Sequence, residues 1–222
     1  MSPRVRLVAL LLPFVVAAAT SCPAAAQTSG NCHQETAANN WWAAVTDCTQ
    51  AIAQNSRDDA AYVDRCYDYI NLGNFTAALA DCAQAITLNS ANESAYVSRC
   101  YVYSHLGQMA WEQVSSASLY NSAVADCTKA IALNPSNEGA YLTRCDLYIS
   151  LRNYSAAVAD CTKAIAFNAN NKDAYLGRGL AYEGLDDNAA ANADFQQVLK
   201  IDPSNQAAQT ELSRMPTPGI SH

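Results

Sequence analysis

The chain has 222 residues, half of them apolar and 15% charged, with a net charge of −7 and nine cysteines. The acidic balance speaks against nucleic acid and anionic membrane surfaces as partners, and so many cysteines are foreign to a reducing cytosol unless they bind metal or do redox chemistry. The alanine-rich, weakly charged composition suits packed helices.

Arg4 and Arg6 precede an apolar run from Leu7 to Ala19; small residues follow, and Ala24-Ala25-Ala26 stands before Gln27. That is the order of a secretory signal peptide, expected over residues 1–26. The run is shorter than the roughly 20 residues of a membrane span, so the mature chain is expected to be periplasmic or secreted, without a span. Cleavage after Ala26 removes Arg4, Arg6 and Cys22, which leaves eight cysteines and a net charge of −9. A competing reading is that Ala19-Thr20-Ser21-Cys22 loosely resembles a bacterial lipoprotein box. Lipidation of Cys22 would then make the chain a lipid-anchored structural component of the cell envelope.

From Gln27 onward the sequence repeats. Ala61-Tyr-Val-Asp-Arg-Cys66 returns as Ala95 to Cys100, as Ala140-Tyr-Leu-Thr-Arg-Cys145 and as Ala174-Tyr-Leu-Gly-Arg-Gly179. A second block, Thr46-Asp-Cys-Thr-Gln-Ala-Ile52, recurs from Ala80, Ala125, Ala159 and Ala193. Apolar and small residues recur at three- and four-residue spacing within the blocks, and Asn/Asp/Gly clusters separate them, which predicts two amphipathic helices and two turns per unit. Ahead of the first second block stands a truncated partner helix, expected around Gln27 to Asn39. Pro135 and Pro203 follow the ends of second helices, because proline cannot continue a helix.

The recurring tyrosine, glycine or cysteine, tyrosine, alanine and proline pattern resembles the tetratricopeptide repeat, over roughly Gln27 to Asn205. Membership would imply an all-α, right-handed superhelical solenoid of five helical hairpins plus a C-terminal capping helix, with first helices lining a concave face. A lone hairpin cannot bury both faces and must stack on neighbours, which agrees. The units expected are 27–58, 59–92, 93–137 with an insertion, 138–171 and 172–205, followed by a capping helix and disordered tail over 206–222.

Cys32 to Cys48, Cys66 to Cys82 and Cys145 to Cys161 are each 16 residues apart, centred on Asn40, Asn74 and Asn153. Residues equidistant from the turn of an antiparallel hairpin face one another, so each pair can meet the geometry of a disulfide. Cys100 and Cys127 fit if the 11 extra residues of unit three lengthen their hairpin. An alternative joins each second helix to the next first helix, but it strands Cys32 and Cys161. Of the 105 connectivities that eight cysteines allow, the intra-repeat scheme pairs all of them by one rule, and unit five replaces both members together, with Gly179 and Phe195. The staples are expected to be structural, a strategy similar to that of the cysteine-rich Sel1-like repeat proteins. The same symmetry sets Arg65, Arg99, Arg144 and Arg178 opposite Asp81, Asp126, Asp160 and Asp194, as paired ladder charges of small net worth rather than an anion-binding strip.

No catalytic constellation is present. His33, His105 and His222 have no nucleophile at informative spacing, and Gly-rich phosphate loops, H-E-x-x-H and G-x-S-x-G are missing. No enzymatic activity, metal or cofactor is expected. Asn74, Asn92 and Asn153 open glycosylation sequons, which matter only in a eukaryotic host. Function falls to the groove, where Val63, Asp64, Tyr67, Val97, Ser98, Tyr101, Leu142, Thr143, Asp146 and Leu176 are expected to project. The carboxylate clamp of lysines, arginine and asparagines known in the family has no basic counterpart in these slots. The expected partner is therefore a protein or extended peptide segment, apolar or basic, with Tyr67 and Tyr101 as anchors. The insertion around Gln108 to Leu119 is expected to extend both helices of unit three by about a turn and a half each, as an edge elaboration or a second contact site.

Overall fold

The computed structural model describes residues 24–110 and 113–214. The apolar N-terminal run with Cys22, the insertion residues Trp111 and Glu112, and the tail beyond Arg214 lie outside the described residues. Among the described residues, eleven helices follow one another: α1 (Ala24–Ala37), α2 (Trp41–Gln54), α3 (Asp59–Asn71), α4 (Phe75–Leu88), α5 (Glu93–Met109), α6 (Gln113–Leu133), α7 (Glu138–Ser150), α8 (Tyr154–Phe167), α9 (Lys172–Gly184), α10 (Asn188–Ile201) and α11 (Gln206–Arg214).

Their boundaries are written locally. Asp58, Asn74, Asn92, Asn137, Asn171 and Asp187 each accept a hydrogen bond from the backbone N–H three residues on, satisfying a donor at the start of a helix. Asn39, Gly73, Arg152 and Asp186 close first helices at positive φ, between 58° and 72°, and lead into the second helices.

Each first helix packs antiparallel on its second helix, and α11 packs on α10 as a cap. The odd helices α1 to α9 also touch the next odd helix, whereas the even ones pack chiefly against their sequence neighbours. Odd helices therefore line the inner wall of an all-α, right-handed superhelical solenoid. Close approach rests on small side chains: Ala44, Ala78, Ala123, Ala157 and Ala191 in second helices, and Ala61, Ala95, Ala140, Ala174 and Ala208 at the starts of the odd helices from α3 to α11, are all buried. Ala208 in this series shows that α11 caps the stack as a further first helix.

The first helix, α1, spans Ala24–Ala37, and from Gln27 onward it is shorter than the 13 residues of α3, as the sequence suggests. One expectation changes. The insertion is split unequally, since α5 has 17 residues against 13 in α3, and α6 has 21 against 14 in α4. One helix gains about one turn and the other about two.

Candidate binding groove

Eight cysteines lie in four pairs at bonding distance, Cys32–Cys48, Cys66–Cys82, Cys100–Cys127 and Cys145–Cys161, with Cα atoms 4.6 to 5.6 Å apart. All eight are buried and serve as the centre of their hairpin cores. In the fifth hairpin the Phe195 ring fills that space against Gly179, where an added Cβ would come within 2.6 Å of the ring.

The arginine column is more than a row of surface charges. Arg65, Arg99, Arg144 and Arg178 each grip the carboxylate of Asp81, Asp126, Asp160 or Asp194 through Nε and Nη2 at 2.7 to 2.8 Å. Arg65, Arg144 and Arg178 also donate through Nη1 to Thr49, Thr128 and Thr162 of the preceding hairpin. Arg99 has Ala83 in that place. Tyrosine rings flank each guanidinium, and the Asp hydrogen bonds are the main reason that the arginines titrate above their ordinary value. Bidentate, largely buried pairs of this kind hold three helices together rather than presenting a strip to anions. A second ladder runs along the starts of the odd helices: Asn92 donates to Asp59 at 2.7 Å, Asn137 to Glu93, and Asn171 to Glu138 at 2.6 Å.

With these cations engaged, the inner wall is apolar and acidic. Tyr67 and Tyr101, 47% and 44% exposed, flank a cleft of about 280 Å³ between α3 and α5. Val97, Ser98, Ile70 and Asn71 complete its lining. Trp41 supports Tyr67 edge-on at 5.8 Å, and His105 lies between Tyr101 and Phe75 at ring separations of 4.4 and 5.3 Å.

The other expected groove residues are spread more widely. Val63 and Thr143 are half-buried, while Leu142 and Leu176 pack on the cores of the fourth and fifth hairpins. Asp64 lies 3.3 Å from His33 of α1; burial raises its carboxyl, and His33 partly opposes that rise. Asp146 is exposed, but its Oδ1 lies close to the α9 backbone, 3.5 Å from where a Cβ on Gly177 would be. Desolvation, and then the charge of Asp173, push its carboxyl up to about 6.

Sequence reading missed Ile70 and Asn71 in the cleft and the threonines that extend the arginine clamps. It also missed Asp68, which is fully buried. A column-by-column alignment of the units carries a signal for the last two, since threonine stands 16 residues before three of the four arginines and Asp68 shares its column with Val102, Leu147 and Ala181.

The tetratricopeptide-repeat family model matches residues 69–92, 139–171 and 172–205. No curated protein sequence matches the chain. Among solved structures, YrrB, described as a TPR protein with an unusual peptide-binding site, superposes with a TM-score of 0.70 at 15% identity, covering 85% of this chain and 92% of its own. The thermophilic TPR protein TTC0263 of Thermus thermophilus gives 0.65 at 18% identity, over 85% of this chain and 97% of its own. The MamA protein gives 0.67 at 18%, over 86% and 98%. At such identities the likeness is one of fold.

Proposed function

From the three units that match the tetratricopeptide-repeat model and the solenoid fold shared with solved proteins of that type, we propose that the chain is an exported, non-enzymatic tetratricopeptide-repeat scaffold whose concave groove holds an extended segment of another protein, apolar with basic residues. The observation that carries this reading is the cleft between Tyr67 and Tyr101, two half-exposed aromatic rings on an inner wall whose arginines are already bound to aspartates. Tyrosine offers a rigid contact surface at small entropic cost, and the Asp146–Asp173 end favours positive charge on the ligand. YrrB, described as having a peptide-binding site, supports an extended ligand as the class.

Export is supported by the N-terminal sequence and by the eight paired cysteines, a pattern typical of an oxidising compartment. In this reading residues 27–205 form the five-unit array, and the staples offset cores built from alanine. A mature N-terminus at Gln27 supports the free scaffold, and a lipid-modified Cys22 supports the anchored envelope component.

The test uses the disulfide-bonded mature chain and a set of extended peptides that alternate large apolar residues with either lysine or glutamate. The apolar-basic peptides should bind, and Tyr67→Ala or Tyr101→Ala should weaken them by about tenfold or more, as for central aromatic anchors. Equal binding of acidic and basic peptides, or no effect of either tyrosine, would refute this reading.

A further inference from the structure

Asp68 sits on α3 where its counterparts in later units are Val102, Leu147 and Ala181, all at most 1% exposed. It is itself 0% exposed. Its Oδ2 accepts a hydrogen bond from Thr36 of α1 at 3.2 Å and lies 3.7 Å from the Cys48 sulfur of α2. Its Oδ1 is buried without a hydrogen-bond partner. A carboxylic acid in such a place costs little more than an amide, whereas a carboxylate there is a buried charge beside a disulfide sulfur with one oxygen unpaired.

We propose that Asp68 makes the joint between the first hairpin and the second unit pH-sensitive: with its proton, it lets α1 and α2 dock on α3, and on losing that proton it loosens the contact. The surroundings supply no compensating cation among the described residues. On α1 the ionisable neighbours are His33, which contacts Asp64 instead, and Glu35, which accepts from Asn40. α2 brings Asp47, α4 brings Asp81 already held by Arg65, and α5 brings Arg99, held by Asp126, and His105, stacked on Phe75. Asp64, one turn away on α3, adds negative charge. Burial, opposed by the Thr36 hydrogen bond and reinforced by Asp64, pushes the Asp68 carboxyl up to about 7. A folded-state value above the unfolded one means that the folded protein binds the proton more tightly. The contribution is thus fully present below the ordinary range of an aspartate and is lost as pH rises towards and through 7. Because Cys32–Cys48 ties α1 to α2, the hairpin should loosen as one piece, and Tyr67, next to Asp68 and supported by Trp41 of α2, should feel it.

Amide hydrogen exchange on the oxidised mature chain, corrected for intrinsic rates, tests this without any ligand. Between pH 5 and pH 8, protection of α1 and α2 in the wild type should fall about tenfold or more relative to α9 and α10. Asp68→Asn and Asp68→Val, the second copying the Val102 column, should abolish that relative fall, while His33→Gln should leave it in place. A carbon-13 titration of the Asp68 carboxyl should show a midpoint near 7. A fall of equal size in Asp68→Asn, no fall in the wild type, or a carboxyl midpoint in the ordinary aspartate range overturns the proposal.

Discussion

At the residue scale, the arginine clamps make the clearest energetic statement. The Arg144 side chain is 14% exposed and that of its partner Asp160 8%, so removing the guanidinium leaves a nearly buried carboxylate without its cation. Arg144→Ala should cost about 3 kcal/mol in denaturant unfolding, more than an exposed ion pair supplies. The third contact of each clamp can be tested by addition. Ala83→Thr would give Arg99 the hydroxyl that Arg65, Arg144 and Arg178 already have, and should add up to about 1 kcal/mol. Asp146 carries a different prediction, at the level of binding. With its carboxyl at about 6, it is ionised above that pH and neutral below it. Affinity for a basic peptide should therefore fall about two- to fivefold from pH 7.5 to 5, and Asp146→Asn should flatten that part of the titration.

At the scale of the element, the hairpin is the unit that sequence and physics share. Its turn calls for one left-handed residue, filled by Asn39, Gly73, Arg152 and Asp186 in the four short units. Only Gly73 avoids the clash of Cβ with the following carbonyl. Arg152, exposed at φ 58°, is the costliest of the four, so Arg152→Gly should raise stability by about 1 kcal/mol in thermal or denaturant unfolding. The centre of the hairpin holds either a disulfide or Phe195 over Gly179. Closing a loop of this length with a disulfide stabilises by about 3 kcal/mol in the chain-entropy account, and Cys145→Ala with Cys161→Ala should lose an amount of that order. In the fifth hairpin, Gly179→Ala should cost about 1–3 kcal/mol by overpacking the buried ring. A stability equal to wild type would mean that Phe195 has room to move.

At the scale of the molecule, stability accumulates from hairpins and the contacts between them. Two kinds of polar contact recur among them, the Thr–Arg–Asp clamps and the Asn–Asp/Glu ladder along the starts of the odd helices. They tie each unit to the next polar group by polar group, where alanine-lined surfaces alone offer modest apolar area. The concave wall follows from the same stacking, because the odd helices meet each other on the inner side. The joint with the first hairpin stands apart, since there the apolar column is broken by Asp68.

The repeat, the turns within the short hairpins and the cysteine pairs were legible from residue identity and spacing. They depend on local rules: Asn and Asp caps, a 34-residue period, and the symmetry of an antiparallel hairpin about its turn. The division of the insertion between α5 and α6 was not legible, because it depends on where the longer hairpin turns rather than on how many residues it gained. Of the expected groove residues, Tyr67, Val97, Ser98 and Tyr101 line one cleft, while Leu142 and Leu176 are partly buried against the cores of their hairpins. Residue order alone thus defined the repeating unit and its staples. Which charges are buried was settled by the stacking of the hairpins, since burial depends on the neighbouring hairpin and not on the residue's own.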